Sequence, residues 1–223
     1  MENENKVIKF LKWFFHSYIW FGVLLLILDL VSKNIVANTM VEGDSVTIIP
    51  GFLSFTYAIN RHAAFGIGPD DPNVSKILYI CFATIASVGI SIWYSKSYKK
   101  MPGYVRTALV IIVAGAIGNM IDRIFYSPEY LHAAAGQPAG VVDFFDFFKG
   151  SALHDVWHFI FNIADIGVVV GTFMLIAWMI IDEVKHAKKP KAEKENKVPE
   201  DKTKVLSASE RRKLEEQEEN KAE

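Results

Sequence analysis

Four apolar stretches, each close to 20 residues long, limit what this 223-residue chain can fold into. They run over about 18–37, 77–94, 105–124 and 159–181, and the first contains Leu24-Leu25-Leu26-Ile27-Leu28. At a rise of about 1.5 Å per residue, each is the length needed to cross about 30 Å of hydrocarbon as a helix. A soluble fold has no use for four such runs. The pattern predicts an α-helical integral membrane protein with four transmembrane helices. A basic leader, Lys6, Lys9 and Lys12, precedes the first run, and no small-x-small cleavage site follows it. It therefore reads as a retained span rather than a removed signal peptide.

Bulk composition conceals this. The chain is 51% hydrophobic and 22% charged with a formal net charge of −1, as for an ordinary soluble domain. Residues 184–223, however, hold 12 of the 24 Lys/Arg, 10 of the 25 Asp/Glu and no aromatic residue. The chain thus divides into a four-span domain over 1–183 and a charged tail over 184–223, which buries too little apolar surface to offset its ordering entropy and is expected to be mostly disordered. Within the tail, Ser209 to Glu216 can form a transient capped helix with Arg212 and Glu216 one turn apart. The near-neutral balance excludes a nucleic-acid binder. The single cysteine, Cys81, excludes a disulfide framework, and its place in the middle of the second run suggests a small core residue.

Orientation follows from lysine and arginine in the short connections. Lys6, Lys9 and Lys12, then Lys96, Lys99, Lys100 and Arg106, then Lys185, Lys188 and Lys189 mark one side, whereas 38–76 and 125–158 are poor in basic residues. Both termini are expected in the cytoplasm and the two longer loops outside. In the first of these, 45–49 and 52–59 are rich in β-branched and aromatic residues around Pro50-Gly51, which reads as a small hairpin or sheet of undetermined register. Gly115, Gly118, Gly167 and Gly171 read as close-packing positions between spans.

Ionisable residues at membrane depth are costly and point to function. Asp29 and Lys33, one turn apart, are expected to neutralise each other. Asn119, Asp122 and Arg123 lie at the outer end of the third run, with Arg123 free to snorkel outward. Asn162 and Asp165 lie near the outer end of the fourth, and Asp143 sits on the loop in an apolar setting. Two carboxylates brought together without a cation of their own push their proton affinities apart, so that one keeps its proton while the other can take one from water. Asp143 and Asp165 fit that arrangement, which suits water attack on a peptide carbonyl. His154 and His158 have the spacing of a zinc motif, but Asp155 stands where a glutamate is needed and no third ligand is evident. His16, His62, His132 and His186 form no metal set by spacing.

Five blocks in order resemble the bacterial lipoprotein signal peptidases, or signal peptidase II. They are Asp29-Leu30-Val31-Ser32-Lys33, Asn60-Arg61-His62-Ala63-Ala64-Phe65-Gly66, Gly115 to Arg123, Val141-Val142-Asp143-Phe144 and Phe161-Asn162-Ile163-Ala164-Asp165. The resemblance implies a catalytic pair, Asp143 and Asp165, activating the water that cleaves a prolipoprotein before its diacylglyceryl-modified cysteine. It also implies that Asp29, Lys33, Asn60, Asn119, Asp122, Arg123 and Asn162 line or brace the site, with Asn119 and Arg123 toward the substrate and Asp122 orienting the loop of Arg123. A β-cradle and a short periplasmic helix over the site are further implications, in a monomer of the bacterial inner membrane in contact with lipid, without metal or organic cofactor. This sequence departs from the family pattern at His62, where glycine is usual, at Leu30 and Ile166, where polar residues are common, and in the long segment Ser127 to Gly140. The alternatives are a four-span proton-coupled transporter, which would carry its acids nearer the midplane, and a non-catalytic membrane scaffold.

Overall fold

The computed structural model describes residues 5–61 and 71–195 together with Arg212, with side chains to His186 and at Arg212. Its helices are α1 (Lys6–His16), α2 (Ile19–Thr39), α3 (Pro72–Ser97), α4 (Gly103–Phe125) and α5 (Ile163–Glu195). Four strands, β1 (Ser45–Ile49), β2 (Leu53–Asn60), β3 (Val141–Phe147) and β4 (Ile160–Phe161), form one sheet in the order β1-β2-β3-β4, every neighbouring pair antiparallel. Helices α2, α3 and α4 and the segment Ile163–His186 of α5 are each long and apolar enough to cross a membrane. The chain forms two compact units, 1–179 and 180–223.

The first and third expected spans agree with α2 and α4 to within two residues, α3 extends five residues before and three beyond the expected 77–94, and the fourth differs at its start. There the apolar run begins at Phe159, but α5 begins at Ile163, because Ile160 and Phe161 pair with Asp146 and Phe145 of β3 as a strand. Asp165 therefore stands in the first turn of its helix rather than six residues below its start. At the other end α5 continues to Glu195, so 184–195 are helical where a disordered chain was expected. That stretch has five Lys, two Ala and two Glu, which extend a helix already formed, against the cost of Pro190 in its interior. The remainder of the tail apart from Arg212, and the His62 to Gly66 part of the second block with any short helix there, lie outside the described residues.

Glycines set the spacing of the bundle. A Cβ on Gly167 would fall 2.5 Å from Leu25 Cδ1, and one on Gly171 would fall 2.8 Å from the Ala108 carbonyl oxygen. Cys81 is exposed on α3, on the surface left for lipid, and not in the core. At one end of the bundle Met101, Val105 and Leu109 form a small buried cluster. At the other, Val36 and Ala37 of α2 pack with Tyr57, Ile59, Val142 and Phe144 of the sheet and with Leu131 of the 126–140 segment. That segment is a packed cover, with Tyr126, Tyr130, Ala133 and Ala139 also against the cluster. The Tyr57 hydroxyl donates to the Leu131 carbonyl at 2.8 Å, and Arg61 forms a two-pronged pair with Glu42 at 2.6 and 2.9 Å while its Nε donates to the Pro138 carbonyl at 2.9 Å. The Arg61 guanidinium holds the Glu42 carboxyl below its usual range.

Candidate active site

The site forms where the N-terminus of α5 meets β3. Asn162 immediately precedes α5, and its Oδ1 accepts the Asp165 backbone N–H at 2.9 Å, while Asp165 Oδ2 accepts the Asn162 N–H at 3.2 Å. This reciprocal cap satisfies two of the backbone donors a helix start leaves open. It also places the Asp165 carboxylate at the positive end of the helix dipole, where negative charge is favoured. A further open donor, the Ala164 N–H, is taken by Asp29 Oδ1 at 2.8 Å.

Asp143 reaches the same place from the sheet. It stands opposite Ala58 in the β2–β3 register, so Asn60, two residues along on the same face of β2, is its diagonal neighbour. Asn60 Nδ2 donates to Asp143 Oδ2 at 3.0 Å. Gly140 is required beside it, since a Cβ there would strike the Asn60 carbonyl. On the other side Asn162 Nδ2 donates to Asp143 Oδ1 at 2.6 Å. Asn119, from α4, donates through Nδ2 to Asp165 Oδ1 at 2.7 Å and accepts from Asn162 at 3.0 Å through Oδ1. A chain of amides thus links the two carboxylates, running from Asp143 through Asn162 and Asn119 to Asp165. Asp143 is 2% exposed. Burial, and then the Asp165 charge, push its carboxyl well above the usual carboxylate range.

Beneath this lies a fully buried lysine. Lys33 Nζ is 2.7 Å from Asp29 Oδ2, 3.0 Å from Asp122 Oδ2 and 2.9 Å from Asn119 Oδ1, so its three protons have three acceptors. Asp29 and Lys33 pair as expected, and Asp122 proves to be the second counterion. Asp122 Oδ2 also accepts the Val142 N–H at 3.3 Å, tying α4 to the strand that carries Asp143. Gly118 makes room for the triad, since a Cβ there would fall 2.6 Å from Asp29 Oδ2. Asn119 is thus engaged with Asp165, Lys33 and Asn162 at once.

Arg123 does not snorkel. It is 6% exposed, its guanidinium carbon lies 3.8 Å from the centre of the Tyr79 ring, and Nη1 donates to the Asn119 carbonyl at 3.2 Å. The aromatic face offers the cation a partner that an outward position would have left to water. Tyr79 is the residue the sequence did not reveal: an aromatic in an apolar run carries no signal of its own. His154 instead contacts Asp146 Oδ1 at 3.1 Å, beside Lys149 Nζ at 3.5 Å from Asp146 Oδ2. Among the described residues no three His, Cys, Asp or Glu side chains converge as metal ligands.

Four spans capped by a small sheet, with two carboxylates joined through asparagines at the seam, define the class: an integral-membrane peptidase of the aspartic type. The family model "Signal peptidase (SPase) II" matches residues 21–181. A lipoprotein signal peptidase of Fusobacterium nucleatum is 38% identical over 159 residues, covering 71% of this chain and 83% of that protein. One of Clostridium tetani is 37% identical over 162 residues, 72% of this chain and 90% of the other. A bacterial membrane enzyme solved in meso at 2.3 Å resolution superposes with a TM-score of 0.59 at 30% identity, covering 75% of this chain and 89% of that one. The chain belongs to the signal peptidase II family. Membership does not favour the transporter or scaffold alternatives.

Proposed function

We propose that Asp143 and Asp165 are the catalytic pair of an endopeptidase that removes signal peptides from prolipoproteins, cutting before the diacylglyceryl-modified cysteine. The observation that carries this is the amide chain from Asp143 through Asn162 and Asn119 to Asp165, which links the two acids. Asp165, at the helix terminus, is the carboxylate; Asp143, buried, holds the proton. Asp165 takes a proton from water as the oxygen attacks the peptide carbonyl, and Asp143 gives its proton to the carbonyl oxygen. On collapse of the tetrahedral species the C–N bond breaks, the cysteine amine leaves with a proton returned by Asp165, and a hydroxyl of the new carboxyl group gives its proton back to Asp143. Arg123 is the positive group at the developing oxyanion. Asn60, Asn119 and Asn162 position the acids, and Asp29, Lys33 and Asp122 hold the helices on which they stand.

In this reading the four-span body over 1–183 sits in the bacterial inner membrane as a monomer in contact with lipid, with 184–223 as a cytoplasmic extension. The lysines and arginines of the short connections support both termini inside and the site at the outer face. No metal or organic cofactor enters the reaction. The test is incubation of the reconstituted protein with a synthetic diacylglyceryl-modified precursor and with the same precursor lacking the lipid. Release of the signal peptide from the lipidated form alone is expected. No release from either, by a correctly inserted protein, overturns the assignment.

A further inference from the structure

Helix α1 belongs to neither the site nor the bundle. It is amphipathic: Val7, Phe10, Leu11 and Phe14 fall within an arc of about 100°, and Lys9, Lys12 and His16 lie opposite. Phe15 and Trp13 border the two faces. None of its residues is buried, and Val7, Phe10 and Phe15 are 60%, 57% and 58% exposed. An isolated 11-residue helix in water has no reason to hold these side chains out.

Its direction is fixed by a built elbow. Ser17 is fully buried, and Tyr18 adopts a left-handed conformation (φ 63°), which a bulky residue keeps only when its surroundings impose it. The surroundings are here. The Tyr94 hydroxyl donates to the Ser17 carbonyl, and Arg106 Nη1 donates to the His16 carbonyl at 2.9 Å while its guanidinium lies 5.1 Å from the Tyr18 ring centre. Gly103 leaves room for that ring, since a Cβ there would fall 2.5 Å from the Tyr18 hydroxyl oxygen. The elbow thus joins α1 to the start of span α2 and to the basic α3–α4 connection.

We propose that α1 is a lipid-binding helix lying in the plane of the membrane surface, its apolar face among acyl chains and its lysines against anionic phospholipid headgroups. Helix α2 begins three residues after α1 ends, and the Phe15 ring of α1 lies 6.2 Å, centre to centre, from the Trp20 ring of α2. The basic face complements a negatively charged surface, and Trp13 stands at the boundary where indole rings settle. Seated this way, α1 fixes the depth of α2, and so of Lys33, about 20 Å further along that helix.

The full chain carrying Cys81→Ser is labelled with a nitroxide at Phe10→Cys or at Lys9→Cys and reconstituted in 1:1 phosphatidylglycerol:phosphatidylcholine vesicles. Collision with oxygen is compared with collision with an aqueous nickel complex. The label at position 10 is expected to meet oxygen several-fold more than nickel, and the label at 9 the reverse. In pure phosphatidylcholine, or with Lys6→Glu and Lys12→Glu in the mixed vesicles, the contrast should fall at least twofold. Equal accessibility at both positions overturns the membrane seat, as does a short label-to-label distance between copies, which would mean that α1 pairs with a second chain. An unchanged contrast in pure phosphatidylcholine overturns the anionic headgroup as the partner. Unchanged precursor cleavage by the labelled proteins confirms their integrity.

Discussion

Lys33→Met is the most informative substitution outside the catalytic pair. It is nearly isosteric, so it removes a charge from a packed interior without opening a large cavity. Lys33 has no exposed surface, and its three donors serve Asp29 at 2.7 Å, Asp122 at 3.0 Å and Asn119 at 2.9 Å. Removing it leaves two buried carboxylates without their cation. Breaking one buried ion pair costs about 3–5 kcal/mol, because the remaining charge is uncompensated rather than because the pair itself was worth so much. For a body of this size, each kcal/mol corresponds to about 2–4 °C, so the midpoint should fall by about 6–20 °C. Melting in detergent at pH 7, followed by tryptophan fluorescence, reads this directly. Adding Asp29→Asn and Asp122→Asn should restore most of the loss, since neutral groups of equal shape remove the uncompensated charge. Cleavage should not return with stability, because Asn119 would still lack the donor that orients it toward Asp165. A midpoint within 2 °C of the parent for Lys33→Met alone refutes the triad as the brace of the site.

Three further outcomes follow from particular contacts. Asn60→Leu removes a donor that favours the charged form of Asp143, so the alkaline limb of kcat/KM against pH should move to higher pH, whereas a purely structural role for Asn60 would lower the whole profile without moving it. Because Asp143 has a folded-state proton affinity above its unfolded one, its contribution to stability is present at low pH and fades as pH rises through the folded value. Asp143→Asn should therefore raise the midpoint more at pH 8 than at pH 5, read by the same melts. Glu42 is the opposite case: its depressed carboxyl contributes above the unfolded value, and the contribution is lost as pH falls through the folded one. Arg61→Ala should accordingly cost about 1–2 kcal/mol at pH 7 and progressively less below about pH 4, measured by denaturation at both pH values.

Much of this architecture is legible in the chain because the membrane imposes length and polarity together. The spans of α2 and α4 are evident to within a few residues, as are the hairpin of β1 and β2 and the buried acids. The failures have specific causes. Phe159-Ile160-Phe161 is as apolar as the helix it precedes, so hydropathy cannot separate a strand paired with β3 from the first turn of α5. The spacing Asn162-x-x-Asp165 was the available signal, since it is the pattern of a reciprocal helix cap. Arg123 was misplaced because its partner, Tyr79, is on another helix, and no local rule pairs positions so far apart. Asp122 as the second counterion of Lys33 was hidden for the same reason. The amphipathic α1 was readable from the opposition of Lys9, Lys12 and His16 to Val7, Phe10, Leu11 and Phe14, but a count of basic residues alone reports only its charge.

The pairing of Asp143 with Asp165 is tested most directly by single-turnover cleavage of a diacylglyceryl-modified precursor by Asp143→Asn and Asp165→Asn, each shown to be inserted and to melt cooperatively. If one acid takes the proton of water and the other supplies one to the carbonyl, each substitution should slow the cleavage step by about 10²–10⁴-fold, with precursor binding retained. Cleavage by either variant within tenfold of the parent would contradict the dyad.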